Sequence, residues 1–220
     1  MKQILVSVRI REAAPAFKGV AISCGVRNSE PDSGLWEELD ALTASFCEQN
    51  KVEDINKREA VLATRRAYKA LGKDPNRYRP SAESLCRRIL KDKSLYRINT
   101  LVDLINLVSI RTGYSIGGFD EDRIEGDTLE LGVGEAGEVF HGIGRGELNI
   151  EGLPVYRDRT GGIGTPTSDE ERTKLTVDST RLLMIINGYD GGGAFEEAVS
   201  LSVELLQRYG AAQNIDVAYF

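Results

Sequence analysis

The chain has 220 residues, 41% of them hydrophobic and 28% charged, with a net charge of −6. That length suits one compact domain whose interior needs no metal or disulfide staple, and the composition excludes a disordered chain. The acidic balance argues against a generic nucleic-acid coat or a membrane-surface protein, while leaving a local basic face open.

The chain opens with strand signals. Ile4, Val6 and Val8 alternate with polar or small residues, and Gly19 to Val26 repeats the pattern after Pro15. Asn28 to Gly34 is turn chemistry. Leu35, Leu39, Leu42 and Phe46 then step by four, three and four, one stripe of a helix. A second helical stretch spans residues 54–71, with Gly72 as its C-cap. Residues 75–80 form a loop, and Ser81 is placed to cap a short helix carrying Leu85 and Ile89. Thr100-Leu-Val-Asp103 fits a capping box with Asp in place of Glu, opening a strongly apolar helix that ends at Gly113. From Tyr114 the character is β. Leu129, Leu131 and Val133 alternate, and residues 139–143, 153–156 and 182–186 are further strand candidates. Residues 194–209 close the pattern as an amphipathic helix. Strands, then helices, then strands, then a helix reads as α+β, not as alternating βαβ units.

No apolar run reaches the ~18 residues of a spanning helix. Lys2 is followed by an apolar stretch that breaks at Ser7 and Arg9, unlike a signal peptide. Cys24, Cys47 and Cys86 are odd in number and scattered, so they suggest neither a disulfide framework nor a zinc site. A cytoplasmic protein with reduced thiols is expected. With His141 as the one histidine, a His-rich metal site is excluded, and neither a metal nor a cofactor is expected.

Charge is unevenly spread. Residues 57–97 hold thirteen basic residues against Glu59, Asp74, Glu83 and Asp92, a local +9 that leaves −15 for the remainder. The cations are interleaved with Tyr68, Tyr78 and Tyr96, a mixture that suits RNA through phosphate neutralisation and base stacking. Arg65, Arg66, Lys69, Arg77, Arg79, Arg87, Arg88 and Lys91 are the RNA-contact candidates. The alternative is a set of solvated helix faces that offset acidic faces elsewhere. Gly132-Val-Gly-Glu-Ala-Gly137 matches G-x-G-x-x-G, but Glu135 and the strand-like residues after it make it a β-hairpin turn, not a nucleotide loop. Residues 142–146 are a similar turn.

A family signature lies between residues 79 and 127. It reads Arg79-Pro-Ser-Ala-Glu-Ser-Leu-Cys-Arg-Arg88, Ile98-Asn-Thr-Leu-Val-Asp-Leu-Ile-Asn106, Gly117-Gly-Phe-Asp120 and Glu125-Gly-Asp127. This resembles the B3/B4 domain of the phenylalanyl-tRNA synthetase β subunit, and is closer still to stand-alone B3/B4-domain proteins, whose pattern residues 164–173 also match. The resemblance covers about residues 55–190. It implies one B3/B4-like domain over residues 1–220, with 1–54 packed on it and 191–220 as a closing helix. The implied fold is a three-layer α+β sandwich of β-sheets and helices.

Within the synthetase, this domain hydrolyses tyrosine wrongly attached to tRNA for phenylalanine. Asn106 matches the family's pocket Asn. The pocket Thr falls on Ile105, the pocket His on Gly117, and a later acidic residue on Ile185, so no catalytic residue is assigned. Ester hydrolysis needs an oriented water and donors for the oxyanion, which these replacements do not offer. Pocket candidates are Asn106, Gly117, Gly118, His141, Arg157, Asp158, Thr165, Asp169, Arg172 and Thr173. Asp169 and Arg172 could equally pair in a loop, and Asn99 and Asp103 are read as caps. The resemblance implies tRNA or aminoacyl-tRNA as partner, with no aminoacylation activity. Two alternatives stand beside it: a trans-editing hydrolase of mischarged tRNA, and a module that binds a free amino acid or small ligand. No DNA or membrane partner is expected.

Overall fold

A computed structural model describes residues 1–91 and 93–220; Asp92, one of the four acids of the basic segment, lies outside them. The elements in order are β1 (Gln3–Val6), α1 (Val8–Ala13), β2 (Lys18–Gly25), α2 (Ser33–Gln49), α3 (Glu59–Ala70), α4 (Ser81–Ile89), α5 (Thr100–Thr112), β3 (Ser115–Asp120), β4 (Thr128–Val133), β5 (His141–Gly142), β6 (Gly146–Glu147), β7 (Pro154–Arg157), β8 (Gly162–Gly164), β9 (Arg181–Gly188), α6 (Phe195–Tyr209) and β10 (Gln213–Tyr219). The first sheet has the antiparallel order β10-β2-β9-β3. The second has the order β1-β4-β7-β8, with β1 and β4 parallel.

The two-residue period of a strand sets the layers. On one face of the first sheet, Val20, Ile22 and Cys24 of β2 and Leu182, Met184 and Ile186 of β9 pack against α2, α5 and α6. On the other face, Ala21, Leu183 and Ile185 meet Leu129 and Leu131 of β4 and Tyr156 of β7. The result is a helix layer, a sheet and a second sheet, the three-layer α+β arrangement expected from the sequence. No described helix is long and apolar enough to cross a membrane.

Several local expectations need correction. The alternation that includes Val8 does not continue as strand. The Ser7 N–H bonds to the Leu131 carbonyl at 2.9 Å, and α1 begins at Val8, which is exposed while Ile10 is buried. The helical stretch 54–71 splits into a 3-10 segment (Val52–Lys57) and α3, breaking at Arg58. The Arg58 guanidinium instead caps α5, donating to the carbonyls of Ile110 and Arg111 at 2.8 and 2.7 Å, where the free carbonyls of a helix end favour a cation. Gly72 does follow α3 in the left-handed region (φ +82°), and Gly113 ends α5 in the same way.

Ser81 makes no cap bond; it is the first residue of α4, after Pro80. The N-cap of α5 is Asn99, in line with its capping role in the sequence, and it accepts from the Val102 N–H at 3.0 Å; Thr100 of the capping-box reading is the first helical residue instead. The Gly132–Gly137 segment turns, but β4 does not fold back on itself, because its antiparallel partner is β7. A side chain at Gly134 would strike the Ile150 carbonyl at 2.0 Å, so this glycine permits a backbone crossing. The Glu135 amide is taken by the Glu138 carboxylate at 2.9 Å, leaving no cradle for a phosphate there. The strand expected at 139–143 shrinks to His141–Gly142, which forms a small hairpin with β6 across the expected 142–146 turn. Finally, α6 is followed by β10, an edge strand that the pattern did not announce.

Candidate functional site

A cavity of about 380 Å³ opens between α4, α5 and the outer edge of β3. Its walls come from one face of α5 and the loop before it: Ile98, Val102, Ile105, Asn106 and Ser109 recur at helical spacing. Leu85 of α4, Ile116 of β3 and Leu175 complete an aliphatic lining. Gly118 forms part of the floor. A methyl group there would come within 2.4 Å of the Ile105 Cδ1, so the glycine keeps this space open. Ile143, in the turn of the β5–β6 hairpin, reaches the opening, with its N–H held by the Asp169 carbonyl at 3.0 Å.

The strand β3 is the edge of its sheet, and residues 169–174 cover that edge. The Asp169 carboxylate lies along it. Its Oδ2 accepts from the Gly118 N–H at 3.3 Å, and among the described residues this is its one hydrogen bond. Asp169 is half-buried and opens onto the cavity. Loss of bulk water pushes its carboxyl up to about 7, with the Gly118 amide pulling weakly the other way. Asn106 also faces the cavity, and its amide has no protein partner among the described residues.

Four of the ten pocket candidates line this cavity: Asn106, Gly118, Thr165 and Asp169. The Thr165 hydroxyl is spent on its own turn, accepting from the amides of Thr167 and Ser168 at 3.1 and 3.0 Å. Gly117 falls on the opposite face of β3, where a side chain would meet the Phe119 ring at 2.6 Å. His141 is exposed, its Nδ1 3.8 Å from Glu170. Arg157 is bound in the second sheet to Glu138 through two contacts of 2.6 Å. Arg172 pairs with Asp158 at 2.9 and 3.0 Å, not with Asp169 as the loop reading offered. That ion pair and the amides of Glu125, Thr160 and Gly161 overcome burial and hold the Asp158 carboxyl below its usual range. Thr173 is buried, and its hydroxyl has no partner among the described residues.

Ile105 does line the cavity, whereas Ile185 points into the core between the sheets, away from it. Ser81, Ser109, Ser168 and Lys174 also line the cavity, and the sequence marks none of them as a pocket residue. For Ser109 the available signal was its place on the Ile98–Ile105 helical stripe.

The basic segment is less free than its charge suggests. Arg65 and Arg87 both bind the fully buried Glu83, at 2.8 and 2.7 Å, and so join α3 to α4. The Arg88 guanidinium stacks on Tyr96 at 4.0 Å and donates to the Ser94 carbonyl. Lys73 is buried against the carbonyls of Asn149 and Glu151. Tyr68 is a core residue whose hydroxyl shares a hydrogen bond with Thr167, so it offers no stacking face. Arg66, Lys69, Arg77, Arg79 and Lys91 remain exposed.

Residues 63–209 match the model of the B3/4 domain. Among solved structures, the fold is similar to an N-terminal fragment of the phenylalanyl-tRNA synthetase beta subunit from Pyrococcus horikoshii, with a TM-score of 0.52 at 14% identity. The alignment covers 98% of this chain and 50% of that one, so the chain spans half the length of the fragment. No curated protein matches the sequence.

Proposed function

The chain belongs to the B3/4 domain family, and on that premise we propose that it binds the aminoacylated end of tRNA. The cavity would hold the aminoacyl group, and exposed cations of the 57–97 segment would meet the phosphates. The observation that carries this reading is the cavity itself. It joins an aliphatic wall to two convergent polar groups with free capacity, Asn106 and Asp169, which is the usual build of a small-ligand site. Its volume suits an amino-acid side chain and its carbonyl group. Arg79 lies two residues before Ser81 of the lining, and Arg77 lies just before it, which makes this loop the preferred RNA contact.

The test compares total aminoacyl-tRNA with the same RNA after deacylation, at two salt concentrations. Tighter binding of the charged form is expected, with affinity falling steeply as salt rises. The variant Arg77→Ala/Arg79→Ala should weaken both forms and flatten the salt dependence. Absence of binding at low salt, or equal affinity for charged and deacylated RNA, contradicts the reading. The released amino acid, measured in the same samples, separates binding from hydrolysis.

A further inference from the structure

Most buried carboxylates among the described residues are compensated; Glu170, which accepts the Arg172 amide at 2.6 Å and lies 3.8 Å from His141, has no arginine or lysine beside it and does not line the cavity. Glu83 holds two arginines. Asp158 holds Arg172 and three amides. Glu121 accepts from Ser23 and Arg181, and Asp120 accepts from Ser179 with Arg123 nearby. Asp103 accepts from the Trp36 indole at 2.7 Å and the Ile98 amide at 3.2 Å. Asp169 has one long amide bond to Oδ2, and its Oδ1 has no hydrogen-bond donor among the described residues. The one basic side chain on the cavity lining, Lys174, is paired with Glu171 on the adjoining turn. A carboxylate drawn partly out of water without a cation is disfavoured, and protonation or a charged partner relieves it.

We propose that Asp169 is the anchor for a primary ammonium group, and that the ligand is a cationic amine joined to an aliphatic or aromatic group and carrying no carboxylate of its own. An amino-acid ester has this chemistry: its α-amino group is charged and its carboxyl is neutral. A free amino acid would bring a second carboxylate to a site with no spare cation. An N-acylated ester would bring no charge for Asp169 to meet. The aliphatic wall of α5 then receives the side chain. The inference deepens the proposed function, since it rests on the cavity as the aminoacyl site, and it specifies an unblocked aminoacyl ester.

The experiment uses small probes, so that its outcome is independent of RNA binding. Leucine methyl ester, free leucine and N-acetyl-leucine methyl ester, with the matching phenylalanine series, are titrated calorimetrically into the full chain. The simple ester of one series should bind about ten-fold or more tightly than its two counterparts, the range expected for one charge-assisted contact. Asp169→Asn should remove that preference while circular dichroism shows the fold retained. In the wild type, affinity should fall as pH drops through about 7, where Asp169 takes up its proton. This pH profile serves as the test if the variant does not fold. Equal or tighter binding of the free or N-acetylated form, an unchanged preference in the variant, or no binding of either ester overturns the inference. Ester binding without tRNA binding would leave the inference standing and remove the proposed function.

Discussion

Glu83 of α4 is fully buried and Asp169 lines the cavity half-buried, and the surroundings of these two carboxylates differ. Glu83 is sealed between α3 and α4 with Arg65 and Arg87 on its two oxygens. Asp169 faces a cavity with one amide for company. The first arrangement gains nothing from a ligand, because every charge is met within the chain. The second is incomplete, and is improved by any cation that can enter. Charge density in the sequence is therefore an incomplete guide: the most basic stretch spends several of its cations on structure, and Asp169 lies in a cavity lined by both aliphatic and polar side chains.

The comparison can be broken first at Glu83. Replacing it in Glu83→Gln leaves two arginines partly buried without a counter-charge. A loss of roughly 3 kcal/mol is expected in urea unfolding at neutral pH. At Asp169 the opposite sign is expected. Its folded-state carboxyl titrates near 7 while the unfolded one titrates in the ordinary carboxylate range, so folding binds a proton between those values. Stability from this group is complete at acid pH and lost as pH rises through about 7. Asp169→Asn should therefore be more stable than the wild type at pH 8, by about 2 kcal/mol for a half-buried, partly screened carboxylate, and no different at pH 3.

Gly118→Ala sharpens the same contrast from the cavity side. The new methyl group would crowd Ile105, costing about 1 kcal/mol and lowering ester affinity by narrowing the site. The smallest stability effect belongs to Arg77→Ala/Arg79→Ala, within about 0.5 kcal/mol by thermal unfolding, since both side chains are exposed. An Arg87→Ala/Arg88→Ala pair would be a poor RNA-binding control, because Arg87 also holds Glu83.

Much of the fold was legible where periodicity is local. The stripes of α2 and α5 carry their burial in their own spacing, and the unbroken apolar run of β9 marks a strand buried on both faces. The failures have definite causes. Val8 continues an alternation only by coincidence, because Ile10 supplies the buried contact in a helix. The strand β10 is largely exposed, so nothing in Gln213–Tyr219 marks one face as core. Ile185 matches the family's later acidic pocket residue only across a loop of different length. In a strand a one-residue shift reverses the face, and its neighbours Met184 and Ile186 point to the helix layer instead. Of the site, Asn106 and Asp169 were legible as candidates, and their meeting in one cavity was not. The pairings that consume Arg65, Arg87 and Arg172 join separate segments through tertiary structure, and residue spacing does not announce them.

The most direct test is a titration of the Asp169 carboxyl by carbon-13 NMR, with Asp169→Asn to assign the signal. A midpoint near 7 in the free protein, falling when leucine or phenylalanine methyl ester is added, is the expected result. A midpoint close to 4, the ordinary range of an aspartate, unmoved by either ester, would mean that Asp169 is as well satisfied as Glu83 and that the cavity has no place for a cation.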